Sequence, residues 1–161
     1  MNLIACASLS WGIGKDNDLL FHIKEDMKYF KNTTINNVVV MGRKTLDSLP
    51  GKRPLKDRVN IVMTRNRDFE QDGIVVVHSV DELLEEIKKY DKEVFVMGGG
   101  EVYNTLLPYC KKAYITRVYA DKEADVYLPM LDKSDAWEIE TESEMLEDNG
   151  IEYKFIVYKR I

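Results

Sequence analysis

Short apolar segments rich in β-branched residues recur along the chain and predict strands that are buried on both faces. These strands are predicted at residues 2–7, 37–41, 58–64, 74–77 and 93–96. Residues 112–119 alternate in character and predict a further strand. We expect the first segment to lie near the centre of a sheet, because it is short and mostly apolar.

Segments with helical spacing separate these strands. In the first predicted helix, residues 24–32, the side chains of Ile23, Met27 and Phe30 fall at i, i+4 and i+7 on one apolar face. The other helices are predicted from Gly42 to Leu49, after the capping box at residues 79–82, and at residues 101–107. Residues 8–22 combine glycines with large apolar side chains and are predicted to be a loop that forms a lid.

The end of the chain has a different pattern. Residues 137–141 and 152–158 predict two antiparallel strands of a hairpin with its turn at residues 148–150. Strands that alternate with helices, followed by such a pair, predict an α/β fold with a central, mostly parallel, twisted sheet, an antiparallel C-terminal edge strand and helices on both faces. A length of 161 residues and a hydrophobic content of 45% suit one domain over residues 1–161.

Two glycine turns follow buried strands and precede helices. Residues 98–100 are three glycines, and bare backbone at a helix N-terminus lets a phosphate approach free N–H groups. The alternative is a flexible turn with a glycine helix cap. The pattern matches neither the Rossmann nor the P-loop fingerprint. Gly42 repeats the arrangement, and its helix begins with two cations and a hydroxyl at residues 43–45.

Asp26 is the candidate catalytic group. It lies three residues after Ile23 and four before Phe30, on the apolar face of the first helix. Buried carboxylates are costly and therefore rare unless they do chemistry, whereas the alternative is a partly solvated acid that the helix dipole stabilises. Two phosphate-like sites on successive turns of one sheet suit a dinucleotide. A carboxylate beside them suggests redox chemistry carried by the cofactor.

The charge of the chain is uneven. The net charge of −5 argues against general binding of nucleic acid. Residues 43–67 nevertheless carry eight basic and two acidic side chains, whereas residues 132–152 carry nine acidic side chains and one lysine. Either these runs are solvated surface, or the basic third attracts a small anionic ligand.

The cysteines and histidines limit which metal sites the chain can form. Cys6 and Cys110 have no metal-ligand spacing, and two histidines cannot form a three-histidine zinc site, so no metal is expected. No segment has the features of a signal peptide or the length of a membrane span. We therefore expect a cytoplasmic protein with no membrane partner.

Several short motifs are weak singly but specific in their order and spacing. They are Ile13-Gly14, Asp26-Met27, Phe30-Lys31, residues 40–45, Arg58 before Asn60-Ile61, residues 98–103, and Tyr114-Ile115-Thr116. Together they resemble the dihydrofolate reductase family of bacterial type, over essentially the whole chain. The resemblance implies hydride transfer from NADPH to C6 of dihydrofolate and a proton delivered to N5. The product, tetrahydrofolate, would support one-carbon metabolism.

The resemblance also implies a substrate site. Asp26 would be catalytic and hold the pterin with support from Thr116, and Arg58 would pair with the carboxylate of the glutamate tail. The implied substrate-binding residues are Ile4, Ala5, Leu19, Asp26, Met27, Phe30, Leu49, Arg58, Met97 and Thr116. The implied partners are dihydrofolate and antifolate inhibitors, and the protein is expected to be a monomer.

A cofactor site for NADPH is implied in the same way. Its phosphates would lie at the two glycine turns. The implied cofactor-binding residues are Ala5, Ile13, Gly14, Leu19, Gly42, Arg43, Lys44, Thr45, Thr64, Arg65, Met97, Gly98, Gly99, Gly100, Glu101, Val102 and Tyr103.

The chain departs from the family pattern in the lid. Leu20 and Phe21 stand where the family often has Pro-Trp, and Phe21 lacks the indole N–H that can hold a water near the pterin. Phe21 is expected to offer ring area in the lid. Two other functions remain open: a reductase of another pterin-like or pyrimidine substrate, and a nucleotide-binding protein without catalysis. Arg58 and the helix of Asp26 favour folate over the first, and the retention of Asp26 speaks against the second.

Overall fold

The computed structural model describes residues 1–161. The strands are β1 Asn2–Ala7, β2 Gly12–Lys15, β3 Asp18–Leu19, β4 Val38–Gly42, β5 Val59–Met63, β6 Ile74–Val77, β7 Val94–Val96, β8 Lys112–Val118, β9 Val126–Tyr127, β10 Trp137–Glu142, β11 Leu146–Asp148 and β12 Ile151–Arg160. The helices are α1 Lys24–Thr34, α2 Arg43–Ser48, α3 Val80–Ile87 and α4 Gly100–Leu106. None of these helices combines the length and the apolar character that crossing a bilayer requires.

The main sheet has the strand order β10-β12-β8-β1-β7-β4-β5-β6, and β11 also pairs with β12. The pairs that β1 makes with β7 and β8 are parallel, and so are the pairs among β7, β4, β5 and β6. β12 runs antiparallel to β8, β10 and β11. The predicted α/β sheet, mostly parallel with an antiparallel C-terminal edge, is therefore confirmed, and its first strand is central.

Side chains of successive strand residues alternate between the two faces of the sheet, and each face carries helices. In β4, Val38 and Val40 belong to the larger apolar core, which also contains residues of α3 and α4. Val39 and Met41 point to the opposite face, where they pack with Leu46 of α2. The predicted placement of helices on both faces follows from this alternation.

The loop predicted at residues 8–22 is not irregular throughout. It contains β2 and β3, which form a small separate sheet with β9 in the order β3-β2-β9. Gly12 and Gly14 lie in β2, and glycine is depleted in strands, so composition gave no strand signal there. β2 is a strand because it pairs with β9, a contact distant in sequence, and not because its own residues favour the strand conformation.

The C-terminal hairpin also differs from its prediction. The turn at residues 148–150 joins β11 to β12, whereas β10 pairs with the later part of β12. A turn signal identifies only the nearest strand, and β11 has three residues, two of them acidic. The predicted pairing of residues 137–141 with the last strand is nevertheless confirmed.

Candidate active site

Asp26 lies in the first turn of α1, and its carboxylate meets the face of the sheet. The hydroxyl of Thr116, which is only 2% exposed on β8, donates to Oδ1 of Asp26 at 2.5 Å. Burial raises the pKa of Asp26 above its ordinary value, while the hydrogen bond from Thr116 opposes this rise. The carboxylate is therefore half-buried and fixed by a hydrogen bond, and it is not a fully solvated acid.

Cys6 is the member of this site that sequence reasoning missed. β1 and β8 pair in parallel with Cys6 directly beside Thr116, so both side chains leave the sheet on one face. Burial raises the pKa of the Cys6 thiol, and the charge of Asp26 raises it further. A single cysteine with no motif carries no signal in the sequence, and only the strand register reveals it.

The prediction that Met27 belongs to a buried stripe of α1 is wrong. Ile23 is 2% exposed, but Met27 is 60% exposed, because the helix meets the sheet through Ile23 and Asp26 and turns Met27 outward. Phe30 is half-buried. Leu19, on β3, is 52% exposed. A large exposed apolar side chain next in sequence to a half-buried carboxylate is what an aromatic ligand could cover.

The other predicted substrate residues lie around the ends of the central strands. Leu49 and Met97 are half-buried and pack against the same apolar cluster. The carbonyl oxygen of Ile4 accepts a hydrogen bond of 2.7 Å from the hydroxyl of Tyr103. Ala5 is half-buried and packs against the larger core.

Arg58 is held at the C-terminal end of α1. Its Nη1 donates to the hydroxyl of Thr34 at 3.1 Å, and its Nε donates to the carbonyl of Lys56 at 2.9 Å. Partial burial lowers the pKa of Arg58, and the nearby carboxylate of Asp57 opposes this change. The guanidinium remains charged, and it has donors beyond the two that the protein uses.

The two glycine turns meet at the carboxyl ends of β4 and β7. The N–H of Gly42 donates to the carbonyl of Gly98 at 2.8 Å. A side-chain carbon added at Gly98 or Gly99 would lie 3.4 or 3.5 Å from the hydroxyl oxygen of Thr45. Bare backbone therefore leaves open the space in front of that hydroxyl. Gly98 also has a φ of 125°, which favours glycine.

Cations surround these turns. The guanidinium of Arg43, at the start of α2, contacts Asp47 at 3.3 Å and lies 4.0 Å from the centre of the Phe69 ring. Arg65 and Glu101 form an exposed ion pair at 2.7 Å. Lys44 is exposed and Thr64 is half-buried. Arg43 and Lys44 at the first turn and Arg65 after β5 thus lie at the end of the sheet where the two turns meet.

The remaining predicted cofactor residues are packed into the protein. Val102 and Tyr103 are buried in α4, and Tyr103 bonds to β1 through its hydroxyl. Gly100 is close-packed, since an added side-chain carbon would lie 2.4 Å from a methyl carbon of Val126. Ile13 is buried beside Gly14 in β2.

Phe21 does not present its ring as an open part of a lid. It is 4% exposed in an apolar cluster with Leu20, Ile23, Val118 and Tyr153. The ammonium of Lys122 lies 4.8 Å from the centre of its ring. The expectation that Phe21 offers free ring area is wrong, because the cluster encloses it.

The fold and the site define an α/β oxidoreductase with an anion-binding sheet edge beside one half-buried carboxylate. The family model described as dihydrofolate reductase matches residues 1–160. The chain belongs to the dihydrofolate reductase family.

Individual relatives are similar along nearly their full length. The dihydrofolate reductase of Bacillus subtilis is 38% identical over 150 residues, which cover 92% of this chain and 87% of the relative. The dihydrofolate reductase of Staphylococcus haemolyticus is 34% identical over 162 residues, which cover 100% of this chain and 96% of the relative. The solved dihydrofolate reductase from Enterococcus faecalis, complexed with NADP(H) and RAB-propyl, has a TM-score of 0.88 and 34% identity, with 99% and 95% of the two chains covered.

Proposed function

We propose that the protein reduces 7,8-dihydrofolate to 5,6,7,8-tetrahydrofolate with NADPH, by hydride transfer to C6 and protonation of N5, and so supports one-carbon metabolism. Family membership over residues 1–160 supports the reaction class, and a relative of 34% identity has been solved with NADP(H). The observation that carries the proposal is the half-buried carboxylate of Asp26, which accepts a hydrogen bond from Thr116 on the same sheet as the two glycine turns.

The residues at the glycine turns fit NADPH. The N–H groups of Gly98 to Gly100 and the hydroxyl of Thr45 would bind the pyrophosphate in the open space that the glycines leave. Arg43, Lys44 and Arg65 would hold the remaining phosphate with Thr64, since guanidinium and ammonium groups bind phosphate through charge-assisted hydrogen bonds. When bound, the nicotinamide supplies the hydride.

The protein's own residues have two tasks in this reaction. Asp26 favours the protonated N5, because a desolvated carboxyl group with a raised pKa retains its proton at higher pH. The apolar side chains of Met27 and Leu19 would cover the pterin and exclude bulk water around that proton. Arg58 would bind the tail carboxylate with the donors that Thr34 and Lys56 leave free.

The direct test mixes the protein with NADPH and dihydrofolate and follows the loss of NADPH absorbance. Stoichiometric formation of tetrahydrofolate is expected. Binding of NADPH without turnover would identify a nucleotide-binding protein instead. Turnover with a pyrimidine substrate and not with dihydrofolate would identify the other reductase class.

The role of Asp26 is tested by Asp26→Asn, which keeps the shape of the side chain but removes its titration. The rate of hydride transfer in a single turnover should fall by roughly a hundredfold or more at neutral pH, as expected for loss of an acid–base group. The parent rate should fall as pH rises through the raised pKa of Asp26, and the variant should lack this dependence.

A matched control is Glu25→Gln in the same helical turn. Glu25 is exposed and pairs with Lys28 at 3.3 Å. This variant should keep the rate and the pH profile of the parent. If Asp26→Asn behaves in the same way, Asp26 has no part in the chemistry.

We further propose that residues 1–161 act as one domain and as a monomer in the cytoplasm, and that antifolates compete with dihydrofolate at this site. The apolar side chains exposed around Asp26 suit planar aromatic inhibitors. Sedimentation of the purified protein tests the monomer, and competition between an antifolate and dihydrofolate tests the shared site.

A further inference from the structure

An ion pair spans the end of the sheet where the candidate phosphate site lies. Nη2 of Arg65, which follows β5, donates to Oε1 of Glu101 in the first turn of α4 at 2.7 Å. β4 lies between β5 and β7 in the sheet, so the pair bridges elements on either side of the turn at Gly42. The two side chains are 90% and 75% exposed, and a ligand can therefore reach the guanidinium.

The partner of Arg65 differs in kind from the partner of Arg43. Arg43 contacts Asp47 one turn along its own helix at 3.3 Å, and its guanidinium also lies 4.0 Å from the centre of the Phe69 ring. Arg65 is paired instead with a carboxylate that is 36 positions away in the chain. The basic segment at residues 43–67 thus receives a negative charge from another element, at one arginine.

A phosphate and the carboxylate of Glu101 need the same donors of Arg65, because both bind a guanidinium through charge-assisted hydrogen bonds. NADPH carries a 2′-phosphate that NADH lacks. A 2′-phosphate that binds Arg65 has to displace Glu101, and the displaced carboxylate then lies near a group of the same charge. A ligand with a hydroxyl in place of this phosphate leaves the ion pair intact.

We propose that Glu101 is a specificity-determining residue that competes with the 2′-phosphate of NADPH for Arg65, and so weakens the binding of NADPH but not of NADH. This inference rests on the proposed function for the position of that phosphate. Specificity is a difference between two affinities, and an unfavourable contact with one ligand changes it as much as a favourable contact does. The cations at the site create the preference for NADPH, and Glu101 reduces its size.

The structural explanation of Glu101 is different. A carboxylate in the first turn of a helix interacts favourably with the helix dipole, and Glu101 occupies that turn of α4. A residue with that role alone would affect the stability of α4 and the binding of both ligands alike. Selectivity for the 2′-phosphate therefore separates the two explanations.

The experiment measures equilibrium binding of adenosine 2′,5′-bisphosphate and of adenosine 5′-phosphate to the parent and to Glu101→Gln, by calorimetry. These two nucleotides differ only in the 2′-phosphate. Low ionic strength is used because salt screens exposed charges. Glu101→Gln should bind the bisphosphate about threefold to tenfold more tightly than the parent, and the monophosphate within about twofold of the parent.

Arg65→Ala shows whether the effect passes through the arginine. In this background, Glu101→Gln should change the affinity for the bisphosphate by less than about twofold, because no guanidinium remains for the two anions to share. Glu138→Gln is the matched control, since Glu138 is an exposed glutamate paired with Lys159 at 3.4 Å on β10, at the opposite edge of the sheet. It changes the net charge equally and should leave both affinities unchanged.

The inference is overturned if Glu101→Gln binds the bisphosphate no more tightly than the parent does. An equal gain for both nucleotides, or a gain that persists in Arg65→Ala, would also overturn it. Neither nucleotide carries nicotinamide, so the measurement needs no turnover. Failure of the parent to reduce dihydrofolate would therefore reject the proposed function, while the selectivity for the 2′-phosphate would still test Glu101.

Discussion

Asp26 is held in surroundings that disfavour its charge, and this has a consequence for folding. Its native pKa is raised by burial, so between its ordinary pKa and the raised one the folded protein binds more protons than the unfolded chain. Stability therefore falls as pH rises through that interval and stays lower above it. A group placed for chemistry at the expense of stability is common in enzymes.

We accordingly expect Asp26→Asn to be more stable than the parent at neutral pH, by about 0.5 to 2 kcal/mol in the free energy of unfolding. The gain should shrink when the pH is below the ordinary pKa of aspartate, where the parent's carboxyl group is neutral in both states. Urea unfolding of both proteins at acid and neutral pH measures it. An equal gain at both pH values would mean that ionisation of Asp26 is not its cause.

Arg58 offers a second prediction at the residue scale. Arg58→Leu should weaken binding of dihydrofolate by roughly tenfold to a hundredfold, because a charge-assisted pair with the tail carboxylate is lost. Binding of a dihydropterin without the tail should not change. Michaelis constants for the two substrates measure this difference.

The control for this prediction is Arg53→Leu, which removes an exposed arginine from the same basic segment. Arg53→Leu should weaken the binding of either substrate only as far as the loss of one positive charge reduces the general attraction of anions. If Arg58→Leu weakens the binding of both substrates equally, Arg58 has a structural role through its hydrogen bond to Thr34 and does not recognise the tail.

Residue patterns predicted part of this site and could not predict the rest. Its spacing to Ile23 put Asp26 on the apolar face of the first helix but left a partly solvated acid open, whereas the structure buries Ile23 and sets Asp26 against Thr116. The same spacing wrongly predicted that Met27 is buried. Helical periodicity identifies the apolar face of a helix, but it does not show which residues of that face contact the sheet. The neighbour Cys6 depended on strand register, which a single sequence does not contain.

At the scale of elements, the segment before α1 is divided between a small sheet and the core. β2 pairs with β9, and Asn17 donates to the carbonyl of Lys44 at 3.2 Å, so this part contacts the start of α2. Phe21 instead belongs to a buried cluster with Val118. The segment therefore does not form one uniform lid, and its two parts should respond differently to substitution.

Phe21→Ala should lower the free energy of unfolding by about 3 to 5 kcal/mol, because it leaves a cavity in a buried cluster. Phe21→Trp should lower it by roughly 1 to 3 kcal/mol, since a larger ring overfills the same space. Urea unfolding measures both effects. Leu19→Ala, at an exposed position, should change the free energy of unfolding little. A large loss of stability in Leu19→Ala and a small loss in Phe21→Ala would contradict the assignment of Phe21 to the core and of Leu19 to the surface.

The parallel strands were predictable because they are short, mostly apolar runs, and β4, β6 and β7 are followed by a glycine turn or a helix cap. β4 and β7 show this most clearly, since both end at the turns that meet through Gly42 and Gly98. β2, β3 and β9 have two to four residues each and depend on one another. Strands of that length carry too few residues for periodicity to separate them from loop.

For the whole molecule, the uneven charge has two separate explanations. The basic side chains between residues 43 and 67 include Arg43, Lys44 and Arg65, which lie at the proposed phosphate site. Three of the nine acidic side chains of residues 132–152, Glu138, Glu140 and Glu142, lie on the edge strand β10 and pair with lysines of β12 and β8. The first cluster suits a ligand, and the second suits protection of an edge.

An edge strand exposes unpaired backbone groups, and charged side chains discourage pairing with another chain. The distances from Glu138 to Lys159, Glu140 to Lys112 and Glu142 to Lys154 are 3.4, 3.1 and 2.9 Å. Exposed pairs of this kind contribute little to stability. We infer that these glutamates discourage β10 from pairing with another chain and do not mainly hold the fold.

The triple variant Glu138→Val, Glu140→Val, Glu142→Val should therefore self-associate through β10, because it combines β-branched side chains with an uncharged edge. Sedimentation should show a mass that rises with protein concentration, while the parent stays at 18.7 kDa. The matching variant with three lysines removes the same ion pairs but keeps charge on the edge, and it should remain monomeric. Association of the lysine variant as well would show that the lost pairs matter, and a monomeric valine variant would show that the glutamates do not protect this edge.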